Sequence, residues 1–198
     1  MSVKNSLVFA VLLLLPQLLP AHPHVWIDAH GELHFNGGRL HRVVHRWTFD
    51  ELFTESILLD YDTNGNRRIE PGENREIAEG AFSNLEYYDY FTHLTVDGRE
   101  LPVDRVENFV ASVEKGRLVY RFDLPLDVDV RSRWRRITFG VWDDTYFVDV
   151  RYDSPAVAVY GHREGGIEID LAMQENNEKS YWGGFIVPQE VRLAFRSR

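Results

Sequence analysis

Cysteine is missing from all 198 residues. Its absence removes disulfides, iron–sulfur centres, thiolate zinc sites and cysteine nucleophiles together, so any metal must be held by histidine, carboxylate, carbonyl or the free amine. Basic residues are scarce relative to acids, 22 Lys+Arg against 31 Asp+Glu, and the formal charge at pH 7 is −9. That balance argues against nucleic acid and anionic membrane surfaces as partners, and suits a soluble or cation-handling protein. Catalytic signatures are lacking too. There is no nucleophile elbow and no HExxH zinc motif, and "GHREGG" at Gly161 to Gly166 lacks the Lys-Ser/Thr ending of a phosphate loop. An enzyme, including a copper oxygenase, is therefore the least supported class.

A long apolar run is also missing. The stretch "LVFAVLLLLPQLL", Leu7 to Leu19, is interrupted by Pro16 and Gln17, which is too short and too broken for a membrane span. With Lys4 before it and Ala21 after it, the run reads as a secretory signal over residues 1–21, an uncleaved anchor being the alternative. The expected mature chain, 22–198, is about one domain long and is secreted without spanning the membrane.

What is present begins with "HPHVWIDAHGELHF". Val25, Ile27, Ala29, Leu33 and Phe35 alternate with His24, Trp26, Asp28, His30, Glu32 and His34, which is strand periodicity with one apolar and one polar side. "NGG" at Asn36 to Gly38 marks a turn into a second strand, whose mixed phase leaves the faces of His41 and His45 open. Thr48 and Glu51 have capping-box spacing for a helix reaching about Leu59, and a second helix is expected from Pro71 or Gly72 to Tyr88. Later runs, including "LVYRFDLPL", "RRITFGVWDDTYFVDV", "AVAVYG", "GIEIDLAM" and "EVRLAF", read as strands. Because the helices come as one block at about 48–90, the expected fold is mainly β α+β. It is an antiparallel β-sandwich-like domain with an inserted helix–loop–helix.

The loop of that insert, "DTNGNRRIEPGE", is the most specific motif in the chain. With Asp62 first, Asn64, Asn66, the Arg68 carbonyl, Glu70 and Glu73 fall at the oxygen-ligand positions of an EF-hand calcium loop, and Ile69 at its apolar anchor. The sixth position, where a strained turn favours glycine, holds Arg67. A left-handed non-glycine residue costs about 1 kcal/mol, so weak calcium or magnesium binding and a vestigial loop both remain open. A register starting at Asp60 is rejected, because it puts Pro71 where the bidentate acid belongs.

The opening histidines suggest a second chemistry. If His22 becomes the amino terminus, its amine and Nδ1 can chelate a transition metal, with His24 a further nitrogen ligand. Pro23 has no N–H, which excludes the tripeptide chelate built from deprotonated amides and makes partners from elsewhere necessary. The competing reading is a frayed terminus whose histidines bind nothing. His30, His34, His41 and His162 read as surface or structural residues. His93 is either a core histidine or a ligand.

The phrases "HPHVWID", "HRWTFDELF", "DYDTNGNRRIEPGE", "NLEYYDYFTHLTVDG", "LVYRFDLPL" and "WDDTYFVDV", in that order, resemble the bacterial periplasmic proteins grouped as domain-of-unknown-function family 1007. Members are described as the periplasmic component of an uncharacterised ABC-type transport system. The resemblance implies secretion and association with a membrane transporter for nickel, cobalt or zinc, and it carries no established activity. Carried onto this chain, it points to His22, His24, His45, His93 and Asp143 to Tyr146. The resulting expectation is a non-catalytic accessory protein that binds Zn, Ni, Co or Cu through His22, His24, His93 and Asp144, with His45 a further candidate. A separate weak calcium site lies at Asp62, Asn64, Asn66, Arg68, Glu70 and Glu73. The alternative is an extracytoplasmic interaction or structural domain in which calcium only stiffens the insert.

Overall fold

Alternation in the first strand is realised residue by residue in the computed structural model, which describes residues 23–198. The expected leader and His22 lie outside the described residues. Strand β1 (Val25–Asn36) buries Val25, Ile27, Ala29, Leu33 and Phe35 and turns the intervening side chains outward. Gly37 and Gly38, at φ +55° and +73°, supply the turn into β2 (Arg39–Phe49).

The helical block follows as α1 (Glu51–Tyr61), α2 (Pro71–Gly80) and a 3₁₀ segment over Phe82–Phe91. Eight strands complete the chain: β3 (Thr92–Val96), β4 (Arg99–Leu101), β5 (Glu107–Glu114), β6 (Arg117–Asp129), β7 (Arg135–Val141), β8 (Val148–Tyr160), β9 (Ile167–Glu175) and β10 (Gln189–Ser197). They form two five-stranded sheets, ordered β5-β6-β2-β1-β8 and β4-β3-β7-β10-β9. The fold is therefore mainly β, with the helices in one block. Strand pairing is antiparallel except between β1 and β8, which run parallel. "AVAVYG" is not a separate strand but the second half of β8.

The two sheets face one another through their apolar sides. Phe35 meets Phe195 edge-on with ring centres 5.2 Å apart, and Phe139 lies so close under β1 that a Cβ at Gly31 would sit 3.1 Å from its ring. Each fully buried side chain of this kind contributes on the order of 2–3 kcal/mol from burial alone.

The insert is fastened to one end of the first sheet. Asp50, rather than Thr48, caps α1: its Oδ1 accepts the Phe53 amide at 3.0 Å and its Oδ2 accepts the Trp26 amide of β1 at 2.8 Å. Thr48 is still committed to the β2 ladder, opposite Asp28 and Val119, so the helix cannot begin there. Thr54 Oγ1 accepts the Leu118 amide of β6, and Asn74 Oδ1 accepts the Ala111 amide of β5. Helix α2 ends earlier than expected, at Gly80, where the Tyr61 hydroxyl of α1 lies 2.7 Å from the position a Cβ would take. Beyond the 3₁₀ turns, Asp89, Tyr90 and Phe91 adopt left-handed φ of 49° to 50° and swing the chain into β3.

Candidate functional site

Loop 62–73 joins α1 to α2 and turns back on itself through its own side chains. The Asp62 carboxylate accepts the amides of Asn66 at 3.2 Å and Arg67 at 2.7 Å, which bends the chain back over it. Asn64 Oδ1 accepts the Asn66 amide and Asn66 Oδ1 accepts the Arg68 amide, so these side chains turn into the same small volume. Arg67 adopts φ +60°, the left-handed conformation foreseen at that position. Its guanidinium is drawn out to Glu55 of α1 by two hydrogen bonds of 2.5 and 3.0 Å. The Arg67 partner holds the Glu55 carboxyl below its ordinary range.

Glu73 closes the loop. Only 5 % exposed, its Oε1 accepts the Thr63 amide at 3.0 Å and its Oε2 accepts the Glu70 amide at 3.0 Å. Glu70 receives the amide groups of Asn64 and Asn66, each at 2.7 Å. The carboxylates are thus engaged by donors within the loop. Among the described residues, no group of three or more His, Asp or Glu side chains is placed to hold a metal ion.

Three transition-metal candidates, His24, His93 and Asp144, contact or belong to the turn between β7 and β8. His24 donates its backbone amide to the Phe147 carbonyl at 2.9 Å, and the two rings lie 4.8 Å apart. His93, on β3, stacks parallel on Trp142 at 3.6 Å and donates from Nε2 to the Trp142 carbonyl at 3.2 Å. Burial lowers the His93 pKa, partly opposed by that backbone bond and by the nearby Asp144 charge. Asp144 in turn accepts the Trp142 indole N–H at 2.9 Å. Trp142 itself fits only because residue 140 is glycine, since a Cβ there would fall 2.3 Å from its ring. His93 and Asp144 therefore clasp one tryptophan from two directions. His45 is elsewhere, 2 % exposed within the core and stacked 5.0 Å from Phe122.

Asp143, next to this cluster, organises the turn instead of offering a ligand. Its Oδ1 accepts the Thr145 amide and hydroxyl, and its Oδ2 accepts the amides of Phe147 and Val148, all within 3.0 Å. The turn forms one wall of an apolar cavity of about 460 Å³ between the insert and the first sheet, lined also by Trp47, Phe49, Phe53, Leu85 and Tyr120. Trp47 Nε1 and the Tyr120 hydroxyl are buried without hydrogen-bond partners among the described residues, and burial pushes the Tyr120 phenol well up. Sequence reasoning missed this cavity. Its only local signal is the aromatic density of "HRWTF" and "LVYRF", and the two strands become neighbours only through the Trp47–Tyr120 pairing.

These local arrangements can be set beside known proteins. The family model described as protein of unknown function, DUF1007, matches residues 7–180. This chain belongs to the DUF1007 family. Two curated relatives have similar sequences. An uncharacterized 15.5 kDa protein in the trpE 3′ region of Spirochaeta aurantia is 31 % identical over 132 residues, covering 67 % of this chain and 93 % of that protein. An uncharacterized protein of Haemophilus influenzae (strain ATCC 51907 / DSM 11121 / KW20 / Rd) is 24 % identical over 137 residues, 68 % of this chain and 64 % of that protein. The chain thus spans less than two thirds of the Haemophilus relative.

Proposed function

We propose that this DUF1007 chain is a non-catalytic periplasmic interaction domain, made of residues 22–198 after removal of a signal peptide. Its EF-hand-like insert binds a hard divalent cation weakly. Calcium is the first choice, held by Asp62, Asn64, Asn66, the Arg68 carbonyl, Glu70 and Glu73. Bound there, the ion contributes structural stiffness to the insert and no reaction chemistry. One observation carries this reading: the Asp62 carboxylate already gathers the Asn66 and Arg67 amides, so much of the ordering a cation would demand is present in the loop itself. The excursion of Arg67 to Glu55 supports it, because the guanidinium of the left-handed residue is directed away from the proposed ligand oxygens.

A second reading, a transition-metal-binding accessory to a membrane metal transporter, draws on His93 and Asp144, which both bond Trp142, and on His24, whose amide bonds Phe147 of the same turn. In that reading His22 and its amine complete the ligand set. Native mass spectrometry of the naturally processed protein separates the two. The first expects calcium retained at millimolar concentration and no stoichiometric Zn, Ni, Co or Cu at micromolar protein. Retention of one transition-metal ion, lost when a residue is added ahead of His22, would establish the second in its place.

A further inference from the structure

The two open sheets have four edge strands among the described residues: β5 and β8 in one, β4 and β9 in the other. An edge presents unpaired amides and carbonyls to any other strand, and proteins ordinarily blunt it by shortness, proline, lysine or a bulge. Three of the four are blunted here. Strand β4 has three residues; β5 shifts register between Glu107 and Val110, with Asn108 at φ +55°; β8 carries Pro155 where its register against β1 breaks. Strand β9 has none of these devices. Its nine residues contain no proline, glycine or lysine, and they pair with β10 in unbroken register from Ile167 to Glu175.

The inward side of β9 is also poorly covered. Leu171 lies opposite Leu193 and Met173 opposite Val191, so each pair shares the core-facing side of the sheet. Leu193 and Val191 are 1 % and 0 % exposed, whereas Leu171 and Met173 are both 38 % exposed. Apolar side chains on an intact edge are thus left half in water.

We infer that β9 pairs antiparallel with β9 of a second copy of this chain, about a two-fold axis through Leu171, joining two five-stranded sheets into one. Sequence symmetry selects this register, which uses the whole strand. Ile169 meets Met173 of the second copy and Leu171 meets its equivalent, so the central inward stripe stays apolar. On the outer side Asp170 meets Ala172 and Glu168 meets Gln174, and no acid faces an acid. Moving the axis one residue to Asp170 would set two aspartates against each other at the centre.

Because the natural chain has no cysteine, single substitutions read the register directly. Leu171→Cys puts two thiols directly across the axis, within the Cα separation a disulfide spans, while Glu175→Cys puts them at opposite ends of the paired strands. Mild oxidation of the naturally processed protein should give a covalent dimer for Leu171→Cys and none for Glu175→Cys. At the exposed position 172, sedimentation equilibrium should show Ala172→Glu, which brings an acid to Asp170 of the second copy, weakening dimerisation roughly three- to thirtyfold, and Ala172→Lys strengthening it. Absence of the Leu171→Cys link, equal linking at both positions, or the same dissociation constant for both Ala172 variants would overturn the inference.

Discussion

His45 shows how a single side chain can change meaning between sequence and structure. It is packed among Trp47, Phe122 and Phe139, and its Nε2 has no hydrogen-bond partner among the described residues. Burial lowers its pKa from the ordinary 6.5 to about 4. Between those pH values the unfolded chain binds the proton and the folded chain does not. Stability from this group is therefore fully present above about pH 6.5 and is lost as pH falls toward 4. Replacing it with phenylalanine should remove that dependence. In urea denaturation at pH 7 and pH 4.5, the natural protein should lose about 2–3 kcal/mol more than His45→Phe does. Parallel losses in the two proteins would mean that His45 is solvated or charged when folded. The alternation of β2 was mixed in the sequence, so only the pairing with β6 reveals that His45 faces inward.

At the scale of elements, Asp50 joins a helix to a sheet, since one carboxylate caps α1 and also binds the Trp26 amide of β1. Asp50→Ala should cost about 2 kcal/mol in chemical denaturation, the upper end of an ordinary cap, and speed hydrogen exchange at both Phe53 and Trp26. Slowed or unchanged exchange at Trp26 would show that the insert is held by its other anchors, Thr54 and Asn74. Elements with local signals were legible: the period-two pattern of β1, the turn at Gly37 and Gly38, and the insert as one block. Elements set by distant contacts were not. Helix α2 stops at Gly80 where Tyr61 crosses it, and β8 pairs parallel with β1 from more than a hundred residues away. Neither relation leaves a periodic trace in the sequence.

Across the whole molecule, two sheets carry an insert at one end, and the candidate sites occupy different parts of that frame. The candidate cation loop was the part most legible in the sequence, because the spacing of its oxygen-bearing side chains is local; even the left-handed turn at Arg67 followed from register alone. The histidine set was not, because its members come from β1, β2, β3 and the β7–β8 turn. Packing of both sheets decides where each one goes, and it sends His45 into the core, away from His93 and Asp144 beside Trp142. The account rests on the loop being a cation site under mild strain at one position. Calorimetric titration of calcium into the natural protein, Arg67→Gly and Glu73→Gln tests it most directly. Weak binding is expected of the natural protein and weaker binding of Glu73→Gln, while Arg67→Gly should bind no more weakly and show its roughly 1 kcal/mol of relieved left-handed strain as folding stability, because Arg67 already adopts φ +60° in the loop itself. No calcium binding by either the natural protein or Arg67→Gly would contradict it.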